Sequence, residues 1–344
     1  MAGALRGVCL RSNETIKRWC ATLPPSAGLH HPIIWTSSSL DPYLNLSIEE
    51  YLFRKVEVHR PILFIYRNRK SVIIGRNQNP WQESNLEELD RQGISLVRRR
   101  SGGGTVYHDE GNTNYSVMLP RVEFERQTNA RLVAKAVEDM GIDRVNVTDR
   151  YDVCVGDRKV SGSAFRITNK RAYHHGTMLI SSNLAQLKGA LRPTPNIKIV
   201  DSKAVGSVRS PVTSLVDSVT QDINHLRFVH NLSLAFSKHY YPALEHQPVS
   251  PQIIGESELE NNPFVRAGYD ELKSWNWIYG QTPQFTRLFE IASDDDDHQS
   301  ETIPVEVTYK NGVIVEIKFD ELDTPPSIQH KISTLFSLGD SIDF

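Results

Sequence analysis

The sequence has few cysteines, no long apolar run and almost no net charge, and each of these shortages excludes a class of protein. Its 344 residues include three cysteines, Cys9, Cys20 and Cys154, which excludes a disulfide framework and a cysteine-based zinc module. No apolar stretch approaches the roughly 20 residues that a membrane span needs, so we expect a soluble protein with no membrane partner. A net charge of −2 argues against a dedicated nucleic-acid-binding protein.

The first 27 residues differ in composition from the rest of the chain. Their basic residues are Arg6, Arg11, Lys17 and Arg18, and the acidic residue among them is Glu14. A basic segment with interspersed apolar residues is typical of a mitochondrial transit peptide. We therefore predict a transit peptide over residues 1–27 and a location in the mitochondrial matrix, with a disordered N-terminus as the alternative.

The most informative motif is the basic and glycine-rich run Arg98 to Asp109, RRRSGGGTVYHD. The apolar stretch Ile94–Val97 precedes it and predicts a strand that leads into a turn. Because glycine lacks Cβ, consecutive glycines allow positive φ and let backbone N–H groups close on an anion. The run matches neither the dinucleotide-binding G-x-G-x-x-G nor the P-loop pattern. It therefore favours a phosphate site of another kind over a solvated hairpin tip.

Together with this run, four further segments resemble the lipoate–protein ligases and lipoyltransferases. They follow in the order expected for that family and span, with it, most of residues 35–280. The segments are GNTN at 111–114, DRKVSGSA at 157–164, YHHGT at 173–177 and the tryptophan-rich SWNWIYG at 274–280.

The resemblance implies the α/β (α+β) mixed-sheet fold of biotin and lipoate ligases, which is related to class II aminoacyl-tRNA synthetases. Interleaved helices and strands joined by short turns also favour a mixed sheet. We predict a catalytic domain over residues 28–280 and a small α/β accessory domain over 281–344, which we expect to be shorter than in typical family members. Within it, Asn311-Gly312 between alternating apolar residues predicts a hairpin.

Three local features are also predicted from the pattern of residues. The apolar stretches Ile62–Tyr66 and Ser71–Gly75 are expected to pair as strands. Residues 242–263 show little periodicity and are expected to form a loop or insertion. The run Asp294–Asp297 is expected to be a solvated acidic loop.

The resemblance implies that Lys159 is the catalytic residue. Acyl transfer from lipoyl-AMP requires that the enzyme hold a phosphate, stabilise charge on a carbonyl oxygen and orient an amine. A lysine ammonium is a compact charge with three donors that can bridge a carbonyl oxygen and a phosphate oxygen. The small residues Ser161–Ala164 beside it let the backbone approach a ligand closely.

Further site residues are implied by the same family pattern. They are expected to bind substrate or nucleotide, and are Arg99, Gly104, Thr105, Val106, Tyr107, Arg150, Thr177, Val208 and Ser210. If a strand follows Gly104, its alternation places Thr105 and Tyr107 on one face and Val106 on the other. Arg166 is similar to a mobile-loop arginine of the ligases.

Two other kinds of chemistry are weighed against this one. His174 and His175 are adjacent, so on a strand they point to opposite faces and do not readily share a metal; we predict no protein-bound structural metal. Cys154 is a candidate acyl-accepting thiol, but its short apolar strand favours a buried, unreactive residue.

The function that the resemblance implies is a monomeric mitochondrial lipoyltransferase. It would move a lipoyl group from lipoyl-AMP, or from lipoyl-H protein, to a specific lysine of E2 lipoyl domains of 2-oxoacid dehydrogenases or of the glycine-cleavage H protein. One alternative is a full lipoate–protein ligase that uses free lipoate, ATP and magnesium. Another is a non-enzymatic regulator that binds a lipoyl group or a nucleotide, and no nucleic acid is expected as a partner.

Overall fold

The computed structural model describes residues 31–57, 59–193, 197–218, 222–244, 249–292 and 302–342. The predicted transit peptide and the acidic run Asp294–Asp297 lie outside these residues. The strands, in chain order, are β1 (Ile33–Ser37), β2 (Ile62–Tyr66), β3 (Ser71–Ile74), β4 (Ser95–Arg98), β5 (Val106–His108), β6 (Asn112–Pro120), β7 (Val145–Val147), β8 (Val153–Val155), β9 (Arg158–Ser161), β10 (Ser163–Ile167), β11 (Arg171–Leu179), β12 (Lys198–Ser202), β13 (Gln252–Ile254), β14 (Phe285–Ala292), β15 (Thr302–Lys310) and β16 (Val313–Lys318). The helices are α1 (Pro42–Lys55), α2 (Pro80–Glu83), α3 (Leu86–Arg91), α4 (Arg126–Glu138), α5 (Leu184–Ala190), α6 (His225–Tyr240), α7 (Ser257–Asn261), α8 (Pro263–Lys273), α9 (Trp275–Ile278) and α10 (Pro326–Leu335).

A six-stranded sheet with the order β10-β11-β6-β2-β1-β13 forms the centre of the molecule. Strands β2, β1 and β13 are parallel to one another, whereas β10, β11, β6 and β2 are successively antiparallel. Helices α4 and α6 cover one face through an apolar cluster that includes Val117, Val133 and Phe228. The mixed sheet with helices on its faces confirms the predicted α/β (α+β) class.

Helix α1 covers the other face of the central sheet. It begins where the Asp41 side chain accepts hydrogen bonds from the N–H groups of Tyr43 and Leu44, and Pro42 starts its first turn. Leu44, Ile48 and Leu52 lie on one side of the helix and are fully buried against β2 and β6. This packing also brings the carboxylates of α1 over the sheet, where the candidate site lies.

The predicted pairing of β2 with β3 is wrong. Strand β2 lies between β1 and β6, whereas β3 belongs to a separate three-stranded sheet with the order β4-β3-β5. The connection between them carries no hairpin turn signal, and its Asn68 is fully buried and hydrogen-bonded to Asn45 and His108. A connection held inside the protein in this way crosses from one sheet to the next instead of reversing the chain.

Residues 242–263 contain regular elements that the sequence did not predict. The short strand β13 adds to β1 in parallel, and α7 follows it directly. Helix α8 then begins at Pro263, where the Asn262 side chain accepts hydrogen bonds from Phe264 and Val265. Elements this short show no hydrophobic periodicity, and β13 is held by pairing with a strand more than 200 residues away in sequence.

Three C-terminal strands, together with β12, form a sheet with the order β12-β14-β15-β16. The hairpin between β15 and β16 is confirmed, with Asn311 at φ 54° and Gly312 at φ 77°. Strand β12 comes from the predicted catalytic domain, and an apolar cluster joins Phe285 and Val307 to Val72 and Tyr107. The boundary between residues 280 and 281 stays a prediction. Among the described residues, no helix is both long and apolar enough to span a bilayer.

Candidate active site

A cavity of about 280 Å³ lies between the central sheet, the glycine run and the segment 205–208. A row of residues across the sheet forms the floor of the cavity. Tyr66 on β2 is opposite Asn114 on β6, which is opposite Thr177 on β11. The Thr177 N–H in turn donates a hydrogen bond to Gly162 O. The complete lining is Leu46, Tyr66, Ile73, Arg99, Gly103, Gly104, Thr105, Val106, His108, Asn114, Arg150, Asp152, Lys159, Gly162, Ser163, Ala164, His175, Gly176, Thr177, Val205, Gly206, Ser207 and Val208.

Lys159 lies in the wall of this cavity on β9, in the small sheet β7-β8-β9. Its backbone N–H donates to Pro211 O and its carbonyl accepts from Thr213 N, each at 3.0 Å. Its ammonium Nζ lies 3.0 Å from Oδ2 of Asp152, and the side chain is 25% exposed. The backbone of Lys159 is therefore held by the segment Pro211–Thr213, while the ammonium stays accessible from the cavity.

Gly162 gives this ammonium its access to the floor of the cavity. A Cβ placed on Gly162 would lie 3.0 Å from Cε and 3.1 Å from Nζ of Lys159, so the lysine side chain passes directly beside this glycine. The Gly162 N–H donates to Thr177 Oγ1 at 3.2 Å, and the Thr177 N–H donates to Gly162 O at 3.1 Å. The small-residue turn predicted beside Lys159 is thus held by one of the predicted site residues.

The three consecutive arginines do not converge on an anion site. Arg98 is fully buried and donates to the carbonyl oxygens of Ile278 and Gln78. Arg100 pairs with Glu271 and stacks on the Trp277 ring. Of the three, Arg99 is the one that lines the cavity.

Arg99 holds the glycine run in place. Its Nη2 donates to the carbonyl oxygens of Gly102 and Gly104 at 2.6 and 2.7 Å, and its Nη1 donates to Ile73 O. Burial lowers the pKa of Arg99 to about 10, so the side chain stays protonated at neutral pH. Because carbonyl oxygens occupy most of its donors, Arg99 shapes the cavity wall more than it offers hydrogen bonds to a ligand.

Two glycines, Gly103 in the run and Gly75 after β3, are required around this loop for different reasons. Gly103 has φ of +88°, a left-handed conformation that other residues rarely adopt. At Gly75, where β3 ends, a Cβ would lie 2.1 Å from Gly103 O. The close approach of these two backbones places the glycine run over the sheet floor.

Gln78 organises the same region and was not predicted from the sequence. It is fully buried, and its Oε1 accepts from Gly75 N and from Thr105 Oγ1, both at 2.8 Å. Its Nε2 donates to Ser207 Oγ at 3.0 Å, and Thr105 N donates to the same hydroxyl at 2.9 Å. Gln78 thereby joins the glycine run to the segment 205–208.

A second unpredicted network lies behind the glycine run. Arg99 Nε donates to Ser101 Oγ at 2.9 Å, and Ser101 Oγ lies 2.7 Å from His175 Nε2. His175 Nδ1 lies 3.0 Å from Oε1 of Glu49, a buried carboxylate on α1. His174 points to the opposite face and lies 2.8 Å from Ser163 Oγ, as the alternation of a strand predicts. The two histidines therefore belong to different environments.

The structure brings most of the predicted site residues together around the cavity. Those that line it are Lys159, Arg99, Gly104, Thr105, Val106, Arg150, Thr177 and Val208. Tyr107 and Ser210 do not line it. The predicted face-sharing of Thr105 and Tyr107 is wrong, because β5 begins only at Val106. Tyr107 instead joins the apolar cluster of the C-terminal sheet.

Two other candidate residues, Arg166 and Cys154, do not line the cavity. Arg166 lies on β10 and pairs with Glu50 of α1. Cys154 is 6% exposed on β8, which confirms a buried strand residue, and burial raises the pKa of its thiol. Within the described ranges, no group of three histidine, cysteine, aspartate or glutamate side chains is arranged to hold a metal ion.

Known proteins match this chain over most of its length. Residues 41–237 match the family model described as the lipoyl protein ligase A/B catalytic domain. A protein of Psychrobacter cryohalolentis named lipoate-protein ligase A is 36% identical over 258 residues, which cover 75% of each chain.

Solved structures are similar as well. P. falciparum LipL1 in complex with lipoate is 27% identical, with a TM-score of 0.64 over 91% of each chain. The bi-partite lipoate protein ligase from Thermoplasma acidophilum, studied with its E2 lipoyl domain, is 26% identical, with a TM-score of 0.57 over 72% of this chain and 96% of that chain. These matches confirm the resemblance on which the site was predicted. The chain, whose glycine run and Lys159 line the same cavity, belongs to the lipoate–protein ligase family, whose members are enzymes of protein lipoylation.

Proposed function

We propose that this protein is a lipoyltransferase that moves the lipoyl group of lipoyl-AMP to a specific lysine of an acceptor protein. The observation that carries the proposal is the position of Lys159, whose ammonium faces a cavity that is buried and apolar at one end and exposed at the other. Leu46, Tyr66 and Ile73 line the buried end and are at most 5% exposed. Arg150 and Val208 line the exposed end.

The contrast between the buried, apolar end and the exposed end of the cavity fits the two halves of an acyl adenylate. The buried end suits the acyl chain, and the exposed end suits the nucleotide, with the reacting carbonyl between them near Lys159. The ammonium would hold the carbonyl oxygen and a phosphate oxygen while the acceptor amine attacks the carbonyl carbon and AMP leaves. Asp152 would keep the ammonium directed at this point, since it holds Nζ at 3.0 Å.

The acceptors that we propose are E2 lipoyl domains of 2-oxoacid dehydrogenases and the glycine-cleavage H protein. The lipoate protein ligase from Thermoplasma acidophilum, with its E2 lipoyl domain, supports the first of these. The basic composition of residues 1–27 supports action in the mitochondrial matrix. We propose that the protein acts as a monomer.

The name of the bacterial relative favours a second candidate, a full ligase that makes its own adenylate from free lipoate and ATP. Such an activity would bring magnesium with the nucleotide, and phosphate oxygens would have to supply many of its ligands. Lys159 and the exposed end of the cavity serve both half-reactions, so the two candidates differ in the donor and not in the site.

We expect the purified protein to modify an apo H protein or E2 lipoyl domain when it receives lipoyl-AMP, and to show little activity with free lipoate, ATP and magnesium. Each donor is supplied separately, with lipoyl-H protein as a third, and the gain in acceptor mass and the release of pyrophosphate are measured. Robust pyrophosphate release from free lipoate would identify a full ligase. If no donor supports transfer, a binding protein is the surviving interpretation.

Replacement of the buried thiol, Cys154→Ser, is expected to leave the rate of transfer within about twofold of the wild-type rate. Because the thiol is buried and its pKa is raised, little thiolate is present at neutral pH, and thiolate is the nucleophilic form. Transfer rates of the two proteins are compared, and intact mass is measured after incubation with the donor alone. A trapped thioester at Cys154, lost together with activity in the variant, would replace the direct route with a cysteine acyltransferase mechanism.

A further inference from the structure

The segment 205–208 forms part of the cavity wall, although its side chains bury little surface. All four residues are exposed, Val205 at 54% and Val208 at 64%. Hydrophobic burial stabilises a segment in proportion to the apolar area removed from water, so it contributes little here. The position of this wall therefore depends on polar contacts.

Ser207 provides most of these polar contacts through its hydroxyl. Its Oγ accepts hydrogen bonds from Thr105 N at 2.9 Å and from Gln78 Nε2 at 3.0 Å. The hydroxyl donates its proton to the Glu83 carboxylate, whose other oxygen accepts from the Ser207 N–H at 3.1 Å. A hydroxyl has one proton and two lone pairs, so these three bonds use its full capacity. Ser207 thereby joins the segment to the glycine run on one side and to α2 on the other.

The amide of Gln78 is oriented by backbone groups on both sides. Its Oε1 accepts from the Gly75 N–H at 2.8 Å, and a backbone N–H can only donate. Its Nε2 has two hydrogens and two acceptors, Ser207 Oγ and the carbonyl oxygen of Val205 at 3.3 Å. Because Gln78 is also fully buried, the site that receives the Ser207 hydroxyl is fixed by the fold.

The segment also packs closely on the glycine run. A Cβ placed on Gly104 would lie 3.1 Å from Ser207 Oγ and 3.4 Å from Ser207 Cβ, so the serine side chain lies directly against this glycine. The Val205 N–H donates to Asn77 O at 2.9 Å and fixes the start of the segment. The segment and the glycine run are thus two walls of the cavity that are held at a defined separation.

We propose that Ser207, together with Gln78 and Glu83, holds the segment 205–208 in the position that receives the nucleotide half of the acyl adenylate. This inference rests on the proposed function and assigns positioning residues to the exposed end of the cavity. A wall that is ordered before binding loses little conformational entropy when the ligand enters. Without the serine hydroxyl, binding would have to order the segment, and the affinity for the adenylate would fall.

The full chain with Ser207→Ala tests the proposal. We expect the Kd of lipoyl-AMP, measured by calorimetry without acceptor, to rise about tenfold, since a lost hydrogen bond and a less ordered wall both weaken binding. The KM for lipoyl-AMP is expected to rise with it, while kcat stays within about twofold. The Kd of free lipoate is expected to stay unchanged, because the acyl chain occupies the buried end. Ser207→Thr, which keeps the hydroxyl, is expected to restore most of the affinity.

A double-mutant cycle tests whether Ser207 and Glu83 act through their mutual contact. Glu83→Ala removes the acceptor of both the Ser207 N–H and the Ser207 hydroxyl, and we expect it also to raise the Kd of lipoyl-AMP. The variant with both substitutions is expected to bind about as well as the weaker single variant, because residues that share one contact are not additive. Fully additive losses would overturn the assignment of these two residues to one contact.

Ser202→Ala is the matched control. The Ser202 hydroxyl donates to Gln82 Oε1 at 3.1 Å and accepts from Ala204 N at 3.2 Å, so it holds the chain just before the segment. Its side chain does not line the cavity, and these two bonds do not reach the glycine run. We expect Ser202→Ala to leave the Kd of lipoyl-AMP unchanged.

The Kd values separate the inference from the proposed function. An unchanged Kd of lipoyl-AMP in a folded Ser207→Ala protein would overturn the inference. So would an equal loss of lipoate and lipoyl-AMP binding, which would indicate general damage to the cavity, or an equal loss in Ser202→Ala. If the wild-type protein binds lipoyl-AMP but transfers no lipoyl group, the proposed function fails, and the Kd values still decide the inference.

Discussion

Lys159→Ala is expected to lower the rate of lipoyl transfer at least a hundredfold while the protein keeps its fold. Loss of a preorganised charge at the reacting carbonyl costs at least about 3 kcal/mol in the transition state. The side chain is 25% exposed, and its charge pairs with Asp152 alone among the described ion pairs, so its removal leaves the apolar clusters intact. Transfer from lipoyl-AMP is measured in single-turnover experiments, and the fold is checked by circular dichroism and thermal unfolding.

Lys170→Ala serves as the control for this substitution. Lys170 is an exposed lysine at the turn between β10 and β11 and does not line the cavity. We expect its replacement to leave transfer unchanged. Near-normal transfer by a folded Lys159→Ala protein would remove the proposed mechanism and would favour a role in binding over one in catalysis.

Arg98→Met is expected to lower the free energy of unfolding by about 3–5 kcal/mol, because it leaves several buried carbonyl oxygens without donors. Arg98 is fully buried, and its donors reach Ile278 O at 2.6 and 2.8 Å, Gln78 O at 2.7 Å and Thr282 Oγ1 at 2.9 Å. Burial lowers the pKa of Arg98 to about 9, yet the side chain is still protonated at neutral pH. Urea denaturation at equilibrium measures the change.

An exposed arginine on a nearby helix provides the comparison. Arg91 forms an i, i+3 ion pair with Glu88 on α3, and its side chain is 71% exposed. Solvated pairs of this kind contribute little, so Arg91→Met is expected to leave the denaturation midpoint unchanged. A midpoint for Arg98→Met that equals the wild-type value would show that Arg98 does not join the glycine run to residues 278–282.

Residues that were predicted from one short segment of the sequence do line the cavity. Lys159 and the small residues after it are adjacent in sequence, and the same spacing brings Gly162 to the ammonium in the structure. The glycine run was likewise predicted as a site, and Gly103 adopts the positive φ that the motif requires. Such features depend on local backbone geometry, which a short pattern of residues determines.

The partners of these residues were not predictable, because they lie far away along the chain. His175 contacts Glu49 across 126 residues, and Arg98 contacts Ile278 across 180. Gln78 is one polar residue in a polar stretch, and nothing in its neighbours shows that it will be fully buried. The predicted position of Tyr107 was wrong because of where the strand begins. Alternation counted from Gly104 assumes a strand that starts at Thr105, whereas β5 starts at Val106, and Tyr107 does not line the cavity.

The parallel bridge beside Lys159 gives the C-terminal sheet an indirect influence on the site. Lys159 and Val212 form a parallel β-bridge. Val212 belongs to the chain segment that follows β12 and passes Val208 at the exposed end of the cavity. Strand β12 is paired with β14, so residues 285–292 hold the start of a chain segment whose end, at Val212, is bridged to Lys159. A truncation before Phe285 would release that segment at one end and is expected to loosen both the exposed end of the cavity and the backbone of Lys159. The C-terminal sheet is therefore connected through the backbone to the wall of the cavity, although the residues that line the cavity all precede Arg209.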